Sequence, residues 1–529
     1  MRSLIVPNSM LPSIKEGVIK GLEIASGAKS SSTYYHKRED QIKSVQNAIA
    51  NLYDISKELP ILLALQNGST GFYVQEAILN ELKRTSLKGA TNIVDPQDWY
   101  DDQIGNKALL KALFNMDTNA GITYVLRTFI QLKERNINNS RARKIALGYV
   151  WGHDNLEFVS IKYRNKLKVI LRHIYGEKTC SALLKIAKNT ISTGYVVEDV
   201  KTVSIFNEYL HKYIKEKDPV YLSKILLFIF GKGVDSYYDN EEFPVLSEYF
   251  VARTDITAVK HVPEEVLIGI IGNKRHPQHS VMWSTKEKRE DTLKVIREQT
   301  IVTSANQLQR QTKKNKELGV EKVVDKTKVT DFLALYKTGY ENGFDDATLA
   351  AIETLAEKRK LSNFPYNKIG IVKDESDSMK GHRTESKNTP KAVASFTELV
   401  LTKSSSNAET VKAKGMNTDL ASAFIDLVEK SNEYDAIFVL SDGYENSYDG
   451  LLNEVIDGYR KLTESQIPIY HLSPVTGAEV KSKVRSIGDQ VSTIAISKPE
   501  TLMNQINAKL LEQDTKKWLE REFTAIENY

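Results

Sequence analysis

The chain has 529 residues, with 73 Lys and Arg against 68 Asp and Glu, which is a formal net charge of +5. At about 100–200 residues per domain, this length predicts two to four domains, and 41% hydrophobic residues exclude wholesale disorder. The single cysteine, Cys180, excludes a disulfide framework and a cysteine-based zinc site, and we expect it to be buried. No apolar run reaches the roughly 18 residues of a membrane span, and the N-terminal run is too short for a signal peptide, so we expect a soluble, cytoplasmic protein.

Residues 39–360 have the pattern of successive amphipathic helices, with apolar residues at i, i+3, i+4 and i+7. Turn residues such as Asn67-Gly68-Ser69 and Asp218-Pro219 separate the segments. Short connections favour antiparallel helix pairs, and pairs of about forty residues are typical of HEAT-like solenoids. We therefore predict that residues 1–362 form an all-helical, HEAT-like domain, with an irregular helical bundle as the alternative.

The pattern changes near Ser362-Asn363-Phe364-Pro365, and strands then alternate with helices. Alternation of this kind predicts a doubly wound α/β domain with a parallel sheet over residues 363–529. The predicted strands are Ile369–Val372, Ala436–Leu440, Ile467–His471 and Thr493–Ile496. The predicted helices are Pro390–Leu401, Asp419–Glu429, Tyr448–Thr463, Ala478–Ile487 and a closing helix from Pro499.

Oxygen-bearing side chains follow two of the predicted strands. Asp374, Ser376 and Ser378 form a D-x-S-x-S motif after the first strand, Thr418 precedes a helix, and Asp442 follows the strand Ala436–Leu440. Ligands of open α/β sheets bind beyond the carboxyl ends of the strands, and a set of oxygen donors suits a hard cation such as Mg²⁺ or Mn²⁺. The sequence therefore predicts a divalent-cation site, and the alternative is that these residues only cap helices and form turns.

An enzymatic interpretation competes for the same segment. A strand followed by Asp374, with Ser441 and Gly488-Asp489 further on, resembles a haloacid-dehalogenase-type phosphatase. That family needs a general acid or base two residues after the nucleophile, and here this position is Ser376, which does not transfer protons at neutral pH. We therefore predict a non-enzymatic protein without catalytic residues.

The near-neutral total charge hides an asymmetry. Residues 363–529 contain 20 Lys and Arg against 25 Asp and Glu, a net −5, which leaves 53 against 43, a net +10, for residues 1–362. Positive charge is concentrated in two segments, and Arg164, Lys168 and Arg172 are spaced as a stripe along one helix. Such a surface suits the phosphates of RNA, although lysine-rich helices are also common as solvated faces. The candidate RNA-binding residues are Arg141, Arg143, Lys144, Lys162, Arg164, Lys166, Lys168, Arg172 and His173.

The D-x-S-x-S, Thr, Asp set resembles the metal-ion-dependent adhesion site of von Willebrand factor A domains. The resemblance places Asp374, Ser376, Ser378, Thr418 and Asp442 on the metal. About fifteen residues separate the first helix of the domain from Thr418, which leaves little room for the usual second and third strands and predicts a reduced domain. A basic helical region followed by such a domain resembles the TROVE family of Ro ribonucleoproteins, most closely from Phe438 to Lys461.

The TROVE resemblance implies helical repeats that close into a ring, with the first helices against the A domain. It also implies that small structured noncoding RNA binds the outer surface and that single-stranded ends of misfolded RNA enter the hole. We accordingly expect a scaffold or quality-control factor for RNA. The main alternative is a protein-interaction module whose metal captures an acidic side chain of a partner.

Overall fold

The computed structural model describes residues 4–27, 38–66, 68–83, 93–95, 99–100, 104–197, 199–300, 314–320, 326, 329, 331–361, 364–380, 389–413, 419–431, 433–443, 450–474, 486–488, 491–496, 499, 502–503, 506, 511 and 514–528. The chain divides into two compact units. The first unit contains residues 1–77, 87–108 and 325–529, and the second unit contains residues 78–86 and 109–324.

Helices occupy most of the described residues before the sheet. The helices of the first half are α1 Leu11–Gly27, α2 Arg38–Ile55, α3 Leu59–Ala64, α4 Gly71–Lys83, α5 Ile104–Ala120, α6 Ile122–Glu134, α7 Ser140–Trp151, α8 Leu156–Lys162, α9 Arg164–Tyr175 and α10 Glu177–Thr193. They are followed by α11 Val200–Phe206, α12 Pro219–Phe230, α13 Pro244–Val251, α14 Glu264–Gly272, α15 His279–Met282, α16 Lys286–Gln299, α17 Phe332–Asn342 and α18 Asp346–Lys358. None of the helices in the described ranges is long and apolar enough to cross a membrane.

Helix α9 shows why the amphipathic pattern predicts these elements. Leu167, Ile170, Leu171 and Ile174 are all buried, as their spacing predicts. Asn155 accepts a hydrogen bond from the backbone of Phe158 and thereby caps the preceding helix α8. The pattern from residue 156 to residue 175 predicts one helix, whereas the structure has two, α8 and α9, divided at residue 163.

The core around α9 contains aromatic and sulfur side chains. The indole nitrogen of Trp151 donates to the hydroxyl of Tyr175 at 2.7 Å, and that hydroxyl donates to the backbone oxygen of Tyr209 at 2.8 Å. Cys180 on α10 is buried, and its thiol lies 3.7 Å from the backbone oxygen of Leu171 on α9. Burial raises the pKa of Cys180 to about 11, so the thiol is protonated at neutral pH.

The C-terminal part of the first unit contains a parallel sheet. Its strands are β1 Lys368–Asp374, β2 Asn407–Ala413, β3 Ala436–Leu440, β4 Ile469–Ser473 and β5 Ser492–Ala495, in the order β2-β1-β3-β4-β5. The accompanying helices are α19 Thr389–Ser404, α20 Leu420–Lys430, α21 Leu451–Thr463 and α22 Thr515–Glu527. The predicted fold class, a helical region followed by an α/β domain, is confirmed, and most of the predicted helix Ala478–Ile487 lies outside the described residues.

Strand β2 was absent from the sequence-based prediction. It is an edge strand that pairs with β1 alone, and most of its residues, including Glu409 and Lys412, are exposed or half-buried. A strand of this kind lacks the apolar run that marks β3 in the sequence. Among the described residues between α19 and α20, one strand stands where the resemblance implied two, as expected for a reduced domain.

The first helices of the chain lie against the closing helix within the first unit. Helix α1 packs on α22, Gln66 donates to Glu522 at 2.8 Å, and the rings of Trp99 and Phe523 meet edge to face. This is the contact between the first helices and the C-terminal region that the resemblance implied. The domain boundary at residue 362 stays a prediction, because β1 begins nearby at Lys368 while the first unit contains residues from both sides of it.

Candidate metal site and candidate nucleic-acid surface

The predicted metal ligands come together at the carboxyl edge of the sheet. Strand β1 ends at Asp374, and its parallel neighbour β3 ends one residue before Ser441 and Asp442. Asp374 is 1% exposed, Ser376 is 3% exposed and Asp442 is 4% exposed. Thr418 and the side chain of Ser378 lie outside the described part of the chain, so three of the five predicted ligands are located.

Hydrogen bonds orient the Asp374 carboxylate. Its Oδ1 accepts from the backbone nitrogen of Ser376 at 2.8 Å, and its Oδ2 accepts from the hydroxyl of Ser441 at 2.8 Å. Burial raises the pKa of Asp374, these hydrogen bonds oppose the rise, and the negative charge of Asp442 adds to it. The charge of Asp442 beside the buried Asp374 carboxylate makes this a place where a cation would be stabilised.

A third strand supports this edge. The Nε2 of His471 on β4 lies 3.0 Å from the backbone oxygen of Ser441, and burial lowers the pKa of His471 to about 4. The ring is therefore neutral at pH 7, and Nε2 carries its proton because it faces a carbonyl oxygen. The sequence-based prediction assigned no role to His471. Its position at the end of the predicted strand Ile467–His471 could have placed it near the predicted metal ligands, because the carboxyl ends of parallel strands lie at one edge of the sheet.

Lys373, the residue before the D-x-S-x-S motif, forms ion pairs with two glutamates. Lys373 on β1 is buried, and its Nζ lies 2.7 Å from Glu398 on α19 and 3.6 Å from Glu375. Alternate residues of a strand point to opposite faces, so Lys373 and Asp374 point away from each other. Glu375 also contacts Lys412 on β2 at 3.2 Å. The lysine therefore leaves the Asp374 carboxylate available to a cation.

The residues present fit a hard cation. Their donors are carboxylate and hydroxyl oxygens, which Mg²⁺ and Mn²⁺ prefer. No group of three or more His, Cys, Asp or Glu side chains suited to a metal occurs among the described residues. A site here consequently depends on the serine and threonine hydroxyls and on water, as the D-x-S-x-S pattern predicts.

The two basic segments predicted to bind RNA meet at one end of α9. Asn138 donates to the backbone oxygen of His173 at 2.7 Å and accepts from the Nε of Arg143 at 3.0 Å. The ring of His173 also contacts the backbone oxygen of Ile137 at 2.8 Å. Arg143 and Arg172 are exposed, so this end of α9 presents cations from two helices to solvent.

The other end of α9 uses its cations internally. The guanidinium of Arg164 lies 4.6 Å from the ring centre of Phe228, which is buried, and its Nη1 donates to the hydroxyl of Tyr249 at 3.3 Å. Lys162 and Lys166 lie 5.9 Å and 5.6 Å from the ring centre of Tyr163. Arg164, Lys168 and Arg172 thus lie on one helix, where Arg164 and Lys168 are half-buried and Arg172 is exposed.

Other candidates contribute to packing. Arg141 forms an ion pair with Glu81 at 2.6 Å, and the two side chains are 12% and 2% exposed. Tyr149 and Trp151 are buried, so neither ring offers a face for base stacking. Lys162 pairs with Glu265 at 3.3 Å, whereas Lys144 is half-buried on α7. Of the predicted RNA-binding residues without a role in packing described above, Arg143 and Arg172 are exposed, and Lys144, Lys166, Lys168 and His173 are half-buried.

Comparison with solved structures shows a likeness of fold. No protein-family model and no curated protein matches this chain. Among solved structures, it is similar to the crystal structure of the Deinococcus radiodurans Ro (RSR) protein, with 12% sequence identity, a TM-score of 0.41, and coverage of 93% of this chain and 99% of that chain. Ro proteins are the class that the C-terminal motifs resemble. A likeness at this level assigns neither an activity nor a site residue to this chain.

Proposed function

We propose that this protein is a non-enzymatic RNA-binding protein that acts as a scaffold or quality-control factor for small noncoding or misfolded RNA. The observation that carries the proposal is that Arg143 and Arg172 are exposed near one end of α9, with the half-buried Lys168 one turn before Arg172. Lys168 and Arg172 are successive members of one helical stripe, and like charges at i and i+4 destabilise a helix. Binding of a phosphate backbone would remove this repulsion.

The distribution of charge supports the same proposal. The segments that make up the second unit contain 37 Lys and Arg against 25 Asp and Glu, a net +12. The rest of the chain contains 36 against 43, a net −7. The positive charge is therefore more localised than a division at residue 362 indicates, and it coincides with the unit that contains α9. A polyanion attracted by this field is directed to the second unit.

The test compares charge reversal in the two units. In the variant Arg143→Glu/Lys168→Glu/Arg172→Glu, we expect the affinity for a single-stranded RNA of about 20 nucleotides to fall by about 100-fold, because each lost phosphate contact lowers binding and its salt dependence. Fluorescence anisotropy over a range of salt concentrations measures both quantities. The slope of log K against log salt is expected to become shallower by about 2, at about 0.7 per contact.

A matched variant separates this effect from a change in total charge. Lys358, Lys430 and Lys516 are exposed in the first unit, and Lys358→Glu/Lys430→Glu/Lys516→Glu changes the net charge by the same amount. We expect this control to retain wild-type affinity. Equal losses in both variants, or no loss in either, would show that α9 is not the binding surface. Arg164 is left unchanged in the test because its contacts are structural.

A second candidate function rests on the sheet edge. Asp374, Ser376, Ser378, Thr418 and Asp442 would hold Mg²⁺ or Mn²⁺, and such a cation could capture an acidic side chain of a protein partner. The burial of Asp374 and Asp442 side by side favours this candidate. It requires the metal residues and not α9, so the charge-reversal variants leave it intact. A phosphatase with Asp374 as its nucleophile would need a general acid or base at position 376. Ser376 does not transfer protons at neutral pH, and its contact with the Asp374 carboxylate is a hydrogen bond from its backbone nitrogen.

A further inference from the structure

A groove separates α10 from α11 in the second unit. It encloses about 310 Å³ and is formed by one face of each helix. The spacing of its residues on α10 is i, i+3, i+4 and i+7, which is the seam along which a helix meets another helix. The residues that line the groove are Ala182, Lys185, Ile186, Asn189, Val197, Lys201, Thr202 and Ile205.

Exposed apolar side chains continue from the groove into the preceding loop. Tyr195 is 59% exposed, Val197 is 39% exposed and Val200 is 84% exposed. Isolated apolar residues are ordinary on a protein surface. Here three of them fall within six residues of the chain. They border a concave surface whose lining includes Ile186 and Ile205. Such a combination is typical of a binding site for apolar side chains.

The charged residues of the groove are lysines. Lys185 and Lys201 line it, Lys188 lies one residue before its Asn189, and all three are exposed. Lys185 and Lys188 form no ion pair with any residue that the structure describes. Near Lys201, Asp199 caps α11 by accepting from the backbone nitrogen of Thr202 at 2.9 Å, and its charge also acts on Lys201, so Lys185 and Lys188 are the cations without such a neighbour among the described residues. A ligand with acidic groups would therefore complement the edges of the groove.

We propose that this groove binds an amphipathic helix of a partner protein, with the partner's aliphatic residues on Ile186, Val197 and Ile205 and its carboxylates on Lys185 and Lys201. Two-helix grooves with an apolar lining accept amphipathic helices in this manner. RNA is the less suitable occupant, because the lining is largely aliphatic and Tyr195, at the border of the groove, offers a single ring for base stacking. This function is independent of RNA binding at α9.

The test uses a defined probe. A fluorescein-labelled helical peptide of about 16 residues, with leucines at i, i+3, i+4 and i+7 and glutamates on both flanks, is titrated with the full-length protein and followed by anisotropy. We expect saturable binding that weakens by at least about tenfold in Lys185→Glu/Lys201→Glu and in Val197→Ser/Val200→Ser. All four positions are outside the buried core, so the variants should fold, and circular dichroism checks this.

A control variant and a control peptide test whether binding is specific to the groove and to the acidic flanks of the peptide. Lys232 and Val281 are exposed elsewhere in the second unit, and Lys232→Glu/Val281→Ser should bind the peptide as the wild type does. A peptide with lysines in place of the glutamates should bind at least about tenfold more weakly. The proposal is overturned if the acidic peptide does not saturate, if both peptides bind equally, or if the groove variants lose affinity for single-stranded RNA while their peptide affinity is unchanged.

Discussion

Arg143 and Arg172 of the second unit are exposed, whereas Glu58, Asp374 and His471 of the first unit are buried. Exposed cations attract a large polyanion over distance and are screened by salt. Buried ionisable groups act on what is close to them, and their own protonation depends on folding. On the functions proposed above, the second unit would therefore suit an extended phosphate backbone and the first unit a small cation.

The second unit nevertheless contains a buried ion pair, which gives the largest expected effect on stability. The Nε of Arg297 on α16 donates to Glu264 on α14 at 3.0 Å, and its Nη1 donates to Asn315 at 2.9 Å. Arg297→Met leaves the Glu264 carboxylate buried without this partner, so we expect a loss of about 3–5 kcal/mol in the free energy of unfolding. Urea denaturation measures it.

The double variant Arg297→Met/Glu264→Gln is the control for that loss. If the loss comes from a buried charge, neutralising Glu264 should recover part of the stability. A double variant less stable than Arg297→Met would mean that packing, and not charge, is responsible.

Two buried groups of the first unit should give opposite pH dependences. Burial raises the pKa of Glu58 to about 7, so its contribution to stability is present below about pH 4.5 and is lost as pH rises through 7. Burial lowers the pKa of His471 to about 4, so its contribution is present above about pH 6.5 and is lost as pH falls through 4. Each shift corresponds to about 3 kcal/mol, and between pH 4.5 and 6.5 the two largely cancel.

Single substitutions should separate the two contributions. In Glu58→Gln, the contribution of His471 is no longer opposed by that of Glu58, so stability should rise from pH 4 to 7 relative to the wild type, and in His471→Gln it should fall over the same range. Thermal unfolding at several pH values measures both slopes. Parallel pH profiles for the two variants would contradict the assignment. The glutamine at position 58 can still accept from the backbone nitrogens of Ile93 and Val94.

The metal proposal predicts a somewhat smaller effect. At a free Mg²⁺ or Mn²⁺ concentration of about 100 times Kd, binding should stabilise the folded protein by about 2.7 kcal/mol. Asp374→Ala and Asp442→Asn should each abolish this stabilisation in thermal melts, while the exposed Asp426→Ala on α20 should retain it. Equal metal-induced shifts in the wild type and in Asp374→Ala would contradict a site at this edge.

The smallest expected effect distinguishes the two ends of α9. Arg164→Ala removes a cation from a buried ring and a hydrogen bond to Tyr249, so we expect a loss of about 1–2 kcal/mol in stability. Lys168→Ala should change stability by less than about 0.5 kcal/mol while weakening RNA binding. If the two variants lose the same stability, the division of the helix into a structural end and an exposed end is wrong.

Local patterns were sufficient to predict most of the helices and four of the five strands. They also predicted that Asp374 and Asp442 would meet, because the carboxyl ends of parallel strands lie at one edge of a sheet. They did not predict β2, whose polar residues lack a buried-strand pattern. Nor could they predict that Arg164 packs on Phe228, because that contact joins residues far apart in the sequence.

Cys180 has a practical consequence for experiments on the second unit. It is the only thiol in the chain, it is buried, and it contacts the backbone of Leu171 on α9. A thiol reagent in solution can modify it when a transient local opening around α10 exposes it. The rate of its modification therefore measures how often this part of the native protein opens. RNA held on α9 should slow that rate, so the unaltered chain carries its own probe of binding.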